Sequence, residues 1–526
     1  MGIVSSAAPG GIGLILDVEP SELPAEAWSS VENMRFYAKS AKAMLGDQQL
    51  AVTSEQLEYG ISAQSVSGVG ASWLLASDTK AWALQGQTLT DVTPTAAPGV
   101  SGSNLNWSGG SLGGLCFLNN GMQKPWVWLS NNPATPMVEL ANWPVDTTAK
   151  TLRAFKQYLV ALSVSKPGGN YPMLVKWSHP ADPGVVPPSW DEADPTKDAG
   201  EYPLAETPGA CVDCLPLRDV NIIYKTDSVW GMQYIGGVFI FRFYKIFGDF
   251  GMPVRNCAVE YTSGKHFVFT GTDIVIHDGN SSRSVATNRI KGLFRTISAN
   301  QLQACFVVSH PAMNEVWFCW RRADDGKIAA DTALVFNHLD ETWSLRDLPD
   351  YRYIGTGVVE PQETATLQWD TISSGWDDSG IAWGEYASIP AFMRLLGVGE
   401  LKLDWTDGAS GGLEPAVLER TYVGVPMQAG KPPDLSMNKF ISMIWPRIKG
   451  PQGMELLITF GTADTVSEDI NWRPSKTYTI GVTKKVPLTL TGKMLAVRLE
   501  TKATSPVKGI WSYHGFDMDI QPAGVN

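Results

Sequence analysis

Between Ile222 and Gly279 the chain reverses every few residues. Ile222–Tyr224, Val229–Tyr234, Val238–Phe247, His266–Thr270 and Ile274–His277 are short runs rich in β-branched and aromatic residues. Thr226-Asp227-Ser228, Gly271-Thr272-Asp273 and Asp278-Gly279 separate or end them, and Gly and Asp tolerate the positive φ that tight turns demand. No amphipathic run of helical length interrupts this pattern. A chain built this way folds as antiparallel hairpins stacked on one another, not as a helical bundle.

The same alternation of strand and turn extends well beyond this stretch. Trp73–Ala76, Ala81–Leu84 and Thr88–Val92 form a meander. Leu115–Leu118 and Trp126–Leu129 flank Asn119-Asn120-Gly121, and Tyr158–Val164 and Met173–Trp177 flank a Pro-Gly-Gly turn. Ala304–Ser309 with Glu315–Trp320, and Thr332–Asn337 with Thr342–Arg346, continue the series. Blades of about 40–50 residues would divide this span into six or seven units, the spacing of a β-propeller, with stacked sandwiches as the competing arrangement. The expected fold is all-β: an extended N-terminal arm over residues 1–50, a propeller-like body over 51–435, and an antiparallel β-sandwich platform over 436–526. The arm's Ile12–Val18 reads as a short strand in need of a partner sheet. A loop near 180–216 holds eight prolines, and from Asp182 to Asp213 eight acidic residues against one lysine. Its composition reads as unpacked loop.

With 51 Gly, 34 Pro and 20 Trp in 526 residues, and only 18% charged, composition agrees with turns and aromatic-packed sheets. The net charge of −12 argues against a protein that grips nucleic acid through phosphates. The charge is uneven: from Lys431 onward 12 Lys/Arg stand against 8 Asp/Glu, an excess of +4. Six sparse cysteines in apolar contexts read as buried free thiols. The N-terminal MGIVSSAAPGG lacks the features of a secretory signal and formally fits a myristoylation pattern at Gly2 and Ser6. The most apolar window, Ile235–Phe247, is too short to span a bilayer and carries Arg242 and Lys245.

The chemistry-bearing motifs are isolated. Cys211-Val-Asp-Cys214 has no second CxxC and no histidine pair, and the six histidines form no HExxH, so no metal or cofactor is expected. GxSxG occurs at Ser111 and Ser410, in both cases without the strand-to-helix elbow that a nucleophile needs. Trp376 and Trp383 beside Asp377-Asp378 suit a sugar-binding rim, against the plainer expectation that the tryptophans pack between blades. No catalytic, cofactor-binding or metal-ligating residue is assigned, and the chain is expected not to be an enzyme.

Three blocks resemble the nozzle, or packaged-DNA-stabilising tail proteins, of short-tailed bacteriophages. The first is Leu23-Pro24, Trp28 and Asn33-Met34-Arg35-Phe36. The second is Val175-Lys176-Trp177-Ser178, Trp190, Ala199-Gly200, Leu217-Arg218-Asp219, Ile222–Lys225 and Val229-Trp230, running on to Gly251. The third is Gly492–Arg498 with Trp511 and Gly515. The chain departs from the family at Ala38–Ala41, where a glycine-containing turn is usual, and at its non-basic end. The resemblance implies a propeller-bearing subunit of a homo-oligomeric ring, commonly a hexamer, in the virion tail. Its partners would be the portal-adaptor ring, tail fibres or needle, and genomic double-stranded DNA conducted without sequence-specific binding. The acidic loop near 180–216 would be a steric gate inside that channel or an outer-wall contact. The alternatives are a carbohydrate-binding tail fibre or receptor-binding protein, and a propeller glycoside hydrolase.

Overall fold

A computed structural model describes residues 2–5, 10–63, 72–94, 107–130, 132–237, 239–359, 393–409, 413–426 and 435–524. The fold is all-β, with one four-residue α-helix, Lys291–Phe294, and two 3-10 turns among those residues.

Six meanders of four antiparallel strands follow one another along the chain. Blade 1 is Leu57–Ala63, Ser72–Ser77, Ala81–Gln85 and Thr88–Asp91. Blade 2 is Ser108–Leu112, Leu115–Asn119, Trp126–Trp128 and Val138–Glu139. Blade 3 is Thr148–Phe155, Tyr158–Lys166, Gly169–Trp177 and Gly200–Pro203. Blade 4 is Cys211–Leu217, Val220–Lys225, Val229–Tyr234 and Phe241–Phe247. Blade 5 is Ala258–Thr262, Lys265–Phe269, Ile274–His277 and Ser282–Ser284. Blade 6 is Phe306–His310, Glu315–Trp320, Ala330–Asn337 and the first part of Thr342–Val358.

That last strand runs 17 residues and serves two blades. Thr342–Asp347 pairs with blade 6. The chain turns at Asp350, whose φ is 54°, and Tyr351–Val358 then pairs with Met393–Gly399. Lys402–Ala409 and Gly46–Val52 complete a seventh blade. The first strands of all seven blades touch in cyclic order, from Leu57–Ala63 round to Tyr351–Val358 and back. Gly46–Val52, inside the 1–50 arm of the sequence reading, is thus the outer strand of the seventh blade, so an N-terminal segment closes the ring.

Apolar residues fill each gap between blades. One cluster, with Trp107, Trp126 and Leu74, joins blades 1 and 2; another, with Phe117, Leu152 and Leu159, joins blades 2 and 3. Second strands such as Ser72–Ser77 and Glu315–Trp320 are buried at every residue. A strand covered on both faces has no polar side, so its sequence loses the alternation of a half-exposed one.

Two sheets form the platform. One runs Val486–Gly492, Lys439–Lys449, Ser512–Pro522, Ser40–Ala43 and Met34–Tyr37, with Gly2–Ser5 against Asp517–Ile520. The other runs Ser30–Glu32, Val417–Gly424, Met494–Thr501 and Glu455–Ala463. Val486–Gly492 alternates strictly, with Val486, Leu488 and Leu490 buried. Val417–Gly424, inside the 51–435 body of the sequence reading, pairs with Met494–Thr501 in this platform. The expected strand Ile12–Val18 shrinks to Gly13–Leu14, held between Ala27–Trp28 and Trp343.

The hairpin of Met34–Tyr37 and Ser40–Ala43 turns through Ala38 and Lys39 at φ 47° and 64°. Two positive φ angles make this a turn that favours Asn-Gly, and side chains with a Cβ are strained there. The double variant Ala38→Asn, Lys39→Gly should therefore raise stability by about 1–2 kcal/mol, read as a higher urea midpoint with an unchanged slope. A lower midpoint would show that the turn is not strained.

Candidate functional site

The inner strands of the seven blades surround one axis, and a buried cation closes it. Arg153, in the first strand of blade 3, donates from Nε and Nη2 to the two carboxylate oxygens of Asp213 in blade 4, at 2.8 and 2.7 Å. Its Nη2 also donates to Asn256 Oδ1 at 2.7 Å, before blade 5. Nη1 reaches Tyr59 Oη at 3.1 Å in blade 1 and the Gly109 carbonyl at 2.9 Å in blade 2. Tyr353, from blade 7, packs on Tyr59 with ring centroids 4.6 Å apart and on Phe306 of blade 6 at 5.6 Å. One layer of contacts therefore draws on six blades and on the segment that leads into blade 5, with blade 2 giving a backbone carbonyl. Burial pushes the Asp213 carboxyl up, but Arg153 and the amides of Asn256 and Cys214 outweigh it and hold it below the usual range.

Above this plug, where the inner strands begin, lies a cup of about 410 Å³. Glu58, Lys150, Arg255 and Arg352 supply its charges, and Tyr59, Trp107, Phe306 and Tyr353 its aromatic walls. Burial raises Glu58 to about 7; Arg352 opposes that rise while Asp78 and Glu400 add to it. Three cationic side chains and one partly protonated carboxyl thus face a single cavity in an acidic chain.

The other end of the axis meets the platform. Arg35, from the Met34–Tyr37 hairpin, pairs with Glu315 of blade 6 at 2.9 and 3.3 Å and with Asp407 of blade 7. Asp407 also accepts from the Leu45 amide, His310 Nε2 and Arg346 Nη1, each at 3.0 Å. Arg346 reaches Asp47 at 2.5 Å, and Asp47 accepts from Tyr351 Oη at 3.0 Å. Burial acts to raise Asp407, and the opposing pull of Arg35, Arg346 and His310 leaves it well below the usual carboxylate range. This hub fastens platform to propeller under blades 6 and 7.

A third buried polar group lies between blades 4 and 5. Tyr224 Oη sits 2.7 Å from His266 Nδ1 and 2.7 Å from His277 Nε2. His266 Nε2 lies 2.9 Å from the Pro216 carbonyl, which only accepts, so Nε2 carries the proton. Tyr224 then donates to His266 Nδ1 and accepts from His277 Nε2–H, with both imidazoles neutral. Burial, helped by His266, lowers His277 to about 3, and burial likewise lowers His266. Replacing Tyr224 by Phe strands two ring nitrogens and should cost about 1–3 kcal/mol, read from chemical denaturation; an unchanged midpoint would contradict the arrangement.

The same pair sets a pH dependence. Well above pH 6.5 both histidines are neutral whether the chain is folded or not, and the pair takes nothing from the stability of the native state. As pH falls toward 3 the unfolded chain takes up protons that the folded chain refuses. Stability drops by up to about 1.4 kcal/mol per pH unit for each histidine. Glu58, raised to about 7, acts in the opposite sense over the same range, so the pair is read by difference: from pH 7 to pH 5 the thermal midpoint of the parent should fall more, or rise less, than that of His277→Gln.

The motifs singled out in the sequence are scattered. Cys211 and Cys214 share the inner strand of blade 4, and all six cysteines are buried free thiols. Burial pushes Cys211 and Cys214 up to about 12, so neither is a ready nucleophile. Ser111 stands in a β-hairpin whose turn is Gly113-Gly114, without a following helix. Ser410, Trp369, Trp376, Trp383, Asp377 and Asp378 lie outside the described residues. Among the described residues no three His, Cys, Asp or Glu side chains gather to hold a metal, and no helix is long and apolar enough to cross a membrane.

The acidic loop departs from its expected form. It joins the third and outermost strands of blade 3 and is packed: Trp190 is buried, with its ring 4.6 Å from Trp143. Glu192 and Glu201 take up Lys176, and Lys166 pairs with Glu201 at 2.6 Å. Two of its carboxylates, Glu192 and Glu201, are thus held against lysines of its own blade, which fastens that part of the loop to the blade's third and outermost strands.

No family model and no curated protein matches the chain. Solved structures overlap it weakly, and two of them serve as examples. The extracellular domain of the putative hybrid two component system BT3049 from B. thetaiotaomicron is 10% identical with a TM-score of 0.38, covering 83% of this chain and 47% of its own. YCF48 bound to D1 peptide is 9% identical with a TM-score of 0.35, covering 70% of this chain and 96% of its own. This chain thus spans about half the length of the first. Likenesses of this degree add nothing to the strand pairing described above.

Proposed function

We propose that the chain is a structural nozzle subunit of a short-tailed phage. It would form a ring that continues the portal-adaptor channel, retains packaged DNA and conducts it during ejection, without turning over a substrate. The reading rests on where the resembling residues lie. Arg35, from the first block, is the platform's link to the hub, and Asn33 of the same block donates to Asp347 at 2.9 Å. In the second block Trp177 and Trp230 are buried. Lys225 of that block donates to the Leu204 carbonyl at 2.7 Å and the Thr207 carbonyl at 2.5 Å. A Cβ on Gly200 would come within 2.5 Å of the Trp177 ring, and one on Gly251 within 2.3 Å of the Lys225 carbonyl. Trp511, in the third, is buried in the platform. The resemblance therefore falls on residues that fix the architecture.

The sealed axis adds a condition. A duplex cannot thread past Arg153, so a conduit requires several subunits around a shared channel, with each propeller beside it. A net negative chain suits that task, because phosphate-gripping Lys and Arg would retard the duplex. Assembly in the host cytoplasm and residence in the virion tail follow from the same reading. Particles assembled without this chain should package DNA and then lose it, leaving the genome open to added DNase. Particles that keep a protected genome without it would remove the retention role.

A further inference from the structure

The cup at the open end of the axis has an unsatisfied wall. Arg352 Nε and Nη1, Glu58 Oε2 and Trp107 Nε1 are buried and have no hydrogen-bond partner among the described residues. The side chains of Arg352 and Glu58 are only 9% and 1% exposed. Their closest approach, 3.7 Å, is an ion pair too long for a hydrogen bond. Orphaned groups of this kind are uncommon in folded proteins and costly to keep. Arg352 has no hydrogen bond at Nε or Nη1 to break in turning toward a ligand.

The neighbouring charges select for an anion. Lys150 is exposed at the rim, and Arg255 beside it donates to the Lys150 carbonyl. Among the residues that line the cup, Lys150, Arg255 and Arg352 outnumber the single carboxylate Glu58, with Asp78 and Glu400 behind it, and Arg153 below is already spent on Asp213. A volume of about 410 Å³ lies in the range of small-molecule pockets. Glu58 adds a carboxyl that can pair with a hydroxyl, and Trp107 a lone N–H donor.

We infer that the cup binds a small hydroxylated carboxylate of up to monosaccharide size, its carboxylate on Arg352, Arg255 and Lys150 and a hydroxyl on Glu58. This assignment is independent of the ring reading; it concerns the single subunit. Calorimetry of the full chain at pH 7 and low ionic strength, with galacturonate, gluconate and tartrate as probes, tests it. At least one should bind, with galactose and acetate at least tenfold weaker. Arg352→Met should weaken binding at least tenfold. Lys150→Met, at an exposed position that leaves the fold intact, should weaken it severalfold. The assignment is overturned if none of the three probes binds, if galactose matches galacturonate, or if inorganic phosphate or acetate binds as tightly as the hydroxycarboxylates. Undiminished affinity in Lys150→Met and in a folded Arg352→Met would overturn it as well.

Discussion

Asp407→Asn should be the most damaging single substitution in the chain. The carboxylate of Asp407 receives four donors, from Arg35, His310, Arg346 and the Leu45 amide. Asparagine keeps the shape but turns one oxygen into an N–H₂ that faces other donors, and it removes the charge that balances two buried guanidinium groups. Breaking a buried ionic network by removing one partner costs about 3–5 kcal/mol. The loss falls where platform and propeller meet, so the two should uncouple: proteolysis should release a platform-sized fragment, or the chain should fail to accumulate in soluble form. Acid should act on the same residue. Because Asp407 titrates below its unfolded value, its contribution is whole above about pH 4 and fades as pH falls through the folded value. An Asp407→Asn protein with the parent's denaturation midpoint would show that the hub is dispensable.

Arg153→Met should come next. Methionine fills much of the space but leaves Asp213, which is almost wholly buried, without its bidentate partner. The expected loss is again about 3–5 kcal/mol. Here it should be relieved by a second change, since Asp213→Asn in the same chain removes the stranded charge. The double variant should recover at least half of what the single variant lost, a coupling that denaturation of the four proteins would reveal. Additive losses would mean that the two groups do not act as a pair.

Much of the architecture is legible in the sequence because turns announce themselves locally. Leu115–Leu118 and Glu315–Trp320 are each found within a residue of their true ends, bounded by Gly, Asn and Pro. Ring closure is not legible. Gly46–Val52 reads GDQQLAV, too polar to suggest a strand, since an outer strand need not be apolar. Thr342–Val358 carries Pro349 in its bend, so its second half does not look like the first strand of another blade. The acidic loop misleads through composition: proline and carboxylate outweigh the one sign of packing, Trp190. The cup and plug are invisible for a different reason. Arg153 and Asp213 are 60 residues apart, and only the blade geometry brings them together. A lone arginine and a lone aspartate inside apolar strands are the available hint, because unpaired charges are seldom buried.

Electron microscopy of the purified full-length chain tests the nozzle reading most directly. The account predicts closed rings, six subunits being the expected number, with a central opening wide enough for a duplex. Each propeller should sit around that opening with its own axis closed at Arg153. Single particles that stay monomeric at all concentrations, alone and with portal-adaptor complexes, would contradict it, as would a ring in which the only axial passage is the propeller's own.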